Sequence, residues 1–214
     1  MSAHLTKGKF ISLEGGEGVG KSTQLTALAA ALRKRGIEVV ETREPGGSPG
    51  AEKIRKLLLD PHEHWSTKTE ALLFAAARAD HVENTIQPAL EAGKWVLSDR
   101  FLDSSLAYQG GAGGLGVEAV LELNRFGIGD FLPDRTFVLM FGKGSNDAIE
   151  RARARDKDGS DRIGGRSLDF HYEVFLAFQL IAEEEPDRVR LVDGSGSQDQ
   201  VTALLLAAIA DLLP

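Results

Sequence analysis

The sequence predicts an α/β protein built on a five-stranded parallel sheet flanked by helices on both faces. Three observations predict it. Short apolar runs alternate with helix-periodic stretches from end to end of the 214 residues. A glycine-rich turn joins the first run to the first helical stretch. The third run ends on an acid, Asp99, at the carboxyl edge where parallel sheets bind ligands.

Phe10-Ile11-Ser12-Leu13 reads as the first strand and runs into Gly15-Gly16-Glu17-Gly18-Val19-Gly20-Lys21-Ser22. Leu25, Leu28, Ala29 and Leu32 then recur at helical spacing, and Arg33-Lys34-Arg35-Gly36 is a C-terminal stop. Ile37 to Val40 predicts the second strand. Pro45-Gly46-Gly47 and Pro49-Gly50 mark a loop. Helices follow over Ala51–Leu59 and Lys68–Leu90, and Trp95-Val96-Leu97 starts a third strand that ends at Asp99. Gly110-Gly111-Ala112-Gly113-Gly114 is too glycine-rich for regular structure. Thr136–Phe141 reads as strand four, and Ala148–Arg155 as a helix meeting the polar Asp156-Lys157-Asp158-Gly159-Ser160. A long helix is expected over Ser167–Glu184 and a fifth strand over Val189–Val192. Val201, Leu204, Leu205, Ile209 and Leu212 give the last helix one apolar face. No repeat and no linker interrupts the pattern, so residues 1–214 read as a single domain.

Composition narrows the function. With 42% hydrophobic and 27% charged residues, wholesale disorder is excluded. Lys plus Arg is 25 against 32 Asp plus Glu, a net charge of -7. That balance argues against coating nucleic acid, which needs a basic footprint. It leaves room for a small anionic substrate held by clustered arginines. The absence of cysteine excludes disulfides, thiolate catalysis and Cys-type zinc sites. The longest uninterrupted apolar run, Ala203–Ala210, falls far short of the ~20 residues a membrane span needs. Met1–Lys9 lacks the apolar stretch of a secretory signal. A cytoplasmic protein with no membrane and no nucleic-acid partner is expected.

Gly15-x-x-x-x-Gly20-Lys21-Ser22 satisfies the P-loop pattern, with a strand before it and a helix after it. Its backbone N–H groups can curl around a polyphosphate, and the helix N-terminus adds its positive dipole end. Gly15, Gly16, Glu17, Gly18, Val19, Gly20, Lys21, Ser22 and Thr23 are therefore the candidate ATP-binding residues. Lys21 can reach the β- and γ-phosphates, and the Ser22 hydroxyl can ligate Mg²⁺. The expected architecture is the P-loop NTPase fold. Neither an Asn-Lys-x-Asp guanine reader nor a Leu-Ser-Gly-Gly-Gln transporter signature is present. Asp99 is a candidate metal-holding acid with Arg100 beside it, although an acid there can also cap a helix.

A second set of polar residues calls for an anionic acceptor. Arg43-Glu44-Pro45-Gly46-Gly47 follows strand two, with Arg55 on the next helix. Phe74 and Arg78 share one helix face, so a ring can stack on a base while a guanidinium reads its edge. Ser104, Ser105, Tyr108 and Gln109 follow Asp99-Arg100, and Arg151, Arg153 and Arg155 crowd a helix end. Singly, Phe74 fits a core position and the arginine row a solvated face. Together they describe an anion pocket beside the phosphate loop.

Three segments carry a closer likeness: Gly15–Ser22, Thr42-Arg43-Glu44-Pro45-Gly46-Gly47, and Asp99-Arg100 through Ser104-Ser105-Leu106-Ala107-Tyr108-Gln109-Gly110. With them the chain resembles the bacterial thymidylate kinases over essentially its whole length. The resemblance implies a single nucleoside-monophosphate kinase domain with a lid at about 151–163, phosphorylation of dTMP to dTDP with MgATP in dTTP biosynthesis, and a homodimer. It implies that Lys21 and Ser22 serve ATP and Mg²⁺, and that Arg55 and Arg100 hold the dTMP phosphate. Phe74 would stack on thymine, with Arg78 at O4 and Ser104, Ser105 and Gln109 near the other polar groups. Glu17 would bind the 3′-hydroxyl and Tyr108 would lie against the sugar. Asp99 would serve metal and phosphates, and Arg153 and Arg155 would act from the lid. The chain departs from the family's usual pattern at Gly142-Lys143, at Gly164 and at Phe178. Two rivals remain: another small-metabolite or deoxynucleoside kinase, and a P-loop nucleotide switch.

Overall fold

The computed structural model describes residues 8–140 and 162–214. The five strands are β1 (Phe10–Glu14), β2 (Val39–Arg43), β3 (Trp95–Asp99), β4 (Arg135–Met140) and β5 (Val189–Asp193). They form one parallel sheet in the order β2-β3-β1-β4-β5. β1 lies at its centre and is buried along its whole length. Ile11, Leu13, Leu97, Phe137 and Leu139 face one side, under helices α1 (Lys21–Arg33) and α8 (Gln198–Ala207). Phe10, Val96 and Val138 face the other, where Phe101 meets the Phe10 ring edge-on at 4.8 Å. Covering both faces is what makes the inner strands β1, β3 and β4 largely apolar, whereas the edge strands β2 and β5 are only part-buried.

Several boundaries differ from the sequence expectation. β2 begins at Val39 instead of Ile37 and extends to Arg43, because its ladder with β3 pairs Val39 with Trp95 and Arg43 with Asp99. Helix α2 (Pro49–Leu59) takes in the Pro49-Gly50 pair that the pattern assigns to a loop. Ser48 caps it, accepting from the Ala51 N–H, and proline is pre-organised for a first helical turn. The single helix expected over Lys68–Leu90 is present and unbroken, as α3 (Thr67–His81), one π-helical turn (Val82–Ile86) and α4 (Gln87–Glu91). Pro88 has no N–H and crowds the preceding turn, so the wider turn falls just before it.

The glycine run is also more regular than expected. Helix α5 (Leu102–Ser105) continues as a π-helical stretch over Leu106–Ala112. A Cβ on Gly111 would stand 2.8 Å from Ala177 Cβ of helix α7 (Leu168–Glu184), so glycine here permits close helix packing. Helix α6 (Val117–Ile128) follows, and neither it nor α5 has a counterpart in the sequence reading. α7 starts after its cap Ser167, which accepts from the Phe170 N–H at 3.2 Å. On α8, Val201 and Leu205 are buried, with Ile209 just beyond its end, but Leu204 turns outward at 51% exposure. The expected helix over Ala148–Arg155 and Phe141 at the end of strand four lie outside the described residues. Among the described residues no helix is long and apolar enough to cross a membrane.

Candidate active site

The carboxyl ends of β1, β2 and β3 open onto a cleft of about 250 Å³. Leu13 pairs with Asp99 in the sheet, so the phosphate loop after β1 and the Asp99-Arg100 turn after β3 are neighbours. Gly15 has φ +126, and a Cβ there would lie 2.3 Å from Leu139 O on β4. Only glycine lets the loop leave the sheet at that point.

Within the loop, Glu17, Gly18, Gly20, Lys21 and Ser22 line the cleft. The Lys21 ammonium donates to Gly16 O at 2.8 Å and Gly15 O at 3.2 Å. Burial, with Arg100 nearby, pushes its pKa down to about 8. Val19 packs into the core under α1, and Thr23 is exposed one residue into the helix beyond Ser22. Ser22 Oγ donates to Asp99 Oδ2 at 2.6 Å. A hydroxyl and a carboxylate that meet at the mouth of a phosphate loop are the hard oxygen pair that Mg²⁺ takes alongside phosphates. Among the described residues no three His, Cys, Asp or Glu side chains cluster as an all-protein metal cage. The Ser22–Asp99 pair is a partial donor set, the kind that Mg²⁺ completes with phosphate oxygens and water.

Arg100 joins the two halves of the site. Its φ is +73, unusual for a residue with a side chain. Three bonds hold the turn: Arg100 N donates to Leu13 O, Ser98 Oγ donates to Arg100 O, and Phe101 N donates to Glu14 Oε1 at 2.7 Å. The guanidinium then donates to Gly15 O (3.0 Å), Ser104 Oγ (3.1 Å) and Glu17 Oε1 (2.5 Å). Arg100 holds the Glu17 carboxyl down at about 2, so Glu17 is ionised throughout the neutral range. Glu14 is fully buried, accepts from Ser104 Oγ, and is pushed up by desolvation and by Asp103.

On the opposite wall stand Arg55, Phe74, Ser104, Ser105, Tyr108 and Gln109. Arg55 donates to Pro45 O at 2.7 Å. The Tyr108 ring lies under Arg100 at 5.1 Å, and its buried hydroxyl has no well-aligned hydrogen bond among the described residues, with Arg100 its nearest charged neighbour. Burial raises its pKa.

Arg78 is placed differently from the other expected residues. It is 1% exposed and stands behind the wall, not on the lining. Nε donates to Glu44 Oε2 (2.8 Å), Nη1 to Asn124 Oδ1 (2.7 Å), and Nη2 to Phe101 O and Ser105 Oγ (3.1 and 3.0 Å). Glu44 also engages His81 Nδ1, whose Nε2 meets Thr42 Oγ1 at 2.7 Å. Arg153 and Arg155 lie outside the described residues.

Arg43, Glu44 and Pro45, from the segment that the sequence groups with the anion pocket, also line the cleft, as do Leu59 and Ile163, which the sequence reading does not assign to the site. Behind it, the buried Glu70 carboxylate gathers Gln109, Arg162 and Arg166. Helical spacing could have found it, since Glu70, Phe74 and Arg78 recur every four residues on one face of α3.

The site therefore combines a cradle for a polyphosphate, a hydroxyl–carboxylate pair suited to Mg²⁺, and a second wall offering arginines, an aromatic ring and an amide. Comparison with known proteins points to one family. The family model described as Thymidylate kinase matches residues 13–205. A thymidylate kinase of Rhizorhabdus wittichii is 58% identical over 211 residues, covering 97% of this chain and 99% of the relative. One from Geobacillus is 45% identical over 96% of this chain and 97% of its own. The crystal structure of thymidylate kinase from Ehrlichia chaffeensis superimposes with a TM-score of 0.76 at 31% identity, covering 95% of this chain and 99% of that one. With a family match running from β1 to α8 and a relative 58% identical over nearly the whole chain, this chain belongs to the thymidylate kinase family.

Proposed function

We propose that this protein transfers the γ-phosphoryl group of ATP to the phosphate of dTMP, giving ADP and dTDP on the route to dTTP. The observation that carries the reading is the bridge made by Arg100, which ties Gly15 of the phosphate loop to Ser104 of the acceptor wall. One guanidinium thus lies between two phosphate subsites. Such a transfer needs positioning and charge neutralisation and no covalent intermediate.

Lys21 and the loop N–H groups take the ATP phosphates, and Ser22 and Asp99 are the residues that would hold Mg²⁺. The ion, when bound, neutralises charge on the transferring group. Arg55 and Arg100 grip the acceptor phosphate, which a thymidine kinase would not need. Phe74 stacks on the base, and Ser105 and Gln109 meet its polar edge. Arg78 supports that edge through Ser105. Glu17, ionised and turned toward Arg100, accepts the 3′-hydroxyl, and Tyr108 closes the sugar side. Arg153 and Arg155 are the candidates for a further cation on the transferring phosphoryl, because the loop has no basic residue besides Lys21. The protein acts in the cytoplasm, where ATP is at hand.

A coupled assay with MgATP against dTMP, dUMP, thymidine, CMP and AMP tests the reading. dTMP is the expected best acceptor, and AMP a poor one, since Phe74, Ser105 and Gln109 on the cleft wall are read here as a pyrimidine site. AMP or thymidine turning over as fast as dTMP would overturn it.

We also propose a homodimer formed through the α3 and α6 faces, where Leu72 is 55% and Phe126 98% exposed. These two helices pack on each other, and each leaves a large apolar side chain open to solvent. Sedimentation should give a dimer at micromolar concentration and a monomer for Phe126→Asp. A monomeric parent protein removes the proposal.

A further inference from the structure

Glu70 has no assigned part in the reaction, yet it is fully buried and tied to three pocket elements at once. Its Oε2 takes both arginines, Arg166 Nη2 at 2.5 Å and Arg162 Nη2 at 2.6 Å, the latter as an ion pair off hydrogen-bond alignment. Its Oε1 accepts from Gln109 Nε2 at 2.7 Å. The two oxygens have separate duties. A carboxylate between two guanidinium groups can only accept, so it admits the nitrogen end of the Gln109 amide and repels the oxygen end. Gln109 lines the cleft, and with Nε2 committed to Glu70 it has its carbonyl oxygen to present to a ligand.

An acceptor at that point distinguishes pyrimidines. Thymine and uracil carry a ring N3–H, whereas cytosine has a lone pair at N3. A cytosine ring would set its lone pair against the amide oxygen, leaving both unsatisfied in a buried site. Resting on the dTMP kinase reading above, we propose that Glu70 is a positioning residue that fixes which end of the Gln109 amide faces the base, and so selects rings bearing N3–H. The same carboxylate steadies the wall around the amide. Arg162 also donates to Leu58 O at 3.0 Å, next to the cleft residue Leu59. Arg166 lies 4.4 Å over the Phe170 ring, which packs edge-on against Tyr108.

The test compares Glu70→Gln and Glu70→Asp with the parent, using dTMP, dUMP and dCMP as acceptors. Gln at position 70 can donate or accept, so it lets the Gln109 amide turn over. Asp keeps the charge for both arginines and withdraws from Gln109, so it probes the same contact in a fold that retains its ion pairs. Both variants should raise KM for dTMP and dUMP by about tenfold, the scale of one hydrogen bond, with kcat little changed. dCMP should not lose in step, so the dTMP-to-dCMP ratio narrows. In a Gln109→Ala background, Glu70→Gln should change that ratio no further. Equal loss with all three acceptors, or additive effects in the double variant, overturns the proposal. A parent protein that does not phosphorylate dTMP would instead overturn the functional reading itself.

Discussion

Replacing Lys21 with alanine should lower kcat by roughly 10²–10³, the scale for removing one preorganised charge from a phosphoryl-transfer site. Lys21 has two duties in this structure. Its ammonium spans Gly15 O and Gly16 O, which shapes the loop, and its charge faces the cleft that takes the phosphates. Lys21→Arg should not restore the rate, because a forked guanidinium cannot replace a compact ammonium in so tight a cradle. The pH dependence provides an independent check. Burial lowers the free-enzyme pKa to about 8, so the protonated form that binds phosphate is lost as pH rises through that value. kcat/KM for ATP, which reports the free enzyme, should fall above about pH 8. kcat should hold to higher pH, since bound phosphates keep the proton in place. A kcat/KM profile flat to the point of alkaline unfolding, together with a near-normal Lys21→Ala rate, would remove Lys21 from the chemistry.

Arg78→Ala should destabilise the fold by about 3–5 kcal/mol, the cost of leaving a buried carboxylate without its partner. The side chains of Arg78 and Glu44 are 1% and 3% exposed, so water cannot take over the lost bonds. Asn124 and Ser105 lose a donor as well. Urea unfolding measures the effect directly, as a lower midpoint at constant slope. Adding Glu44→Gln should recover part of the loss, because the stranded charge is then gone. Arg78→Lys should fall between, keeping the charge but not the fork that reaches Glu44, Asn124 and Ser105 together. A loss below about 1 kcal/mol for Arg78→Ala would mean that the pair behaves as a solvated one and that Arg78 serves only the ligand.

Chain-local signals determined much of this protein. The P-loop needs a strand, a fixed spacing and a helix, all within one short stretch, so Lys21 and Ser22 were legible at once. Alternating apolar runs established the parallel sheet, because crossover helices bury both of its faces. Arg55, Phe74, Arg100, Ser104, Ser105, Tyr108 and Gln109 were named from motif segments and a helix face, and all seven line the cleft. Tertiary structure decided what those residues are bonded to. Ser22 meets Asp99 across 77 positions because β1 and β3 are neighbours in the sheet although β2 lies between them in sequence. Arg78 carries the same residue type and helix face that suggested a ligand contact, yet Glu44, Asn124, Phe101 and Ser105 converge on its guanidinium. Glu70, an acid in the first turn of α3, carries no local mark of a role; Arg166, 96 positions away, and Gln109 close on it in the fold. Helical periodicity specifies which face a side chain occupies. It carries no information on which distant element will lie against that face, and a buried charge takes its role from the partner it finds there.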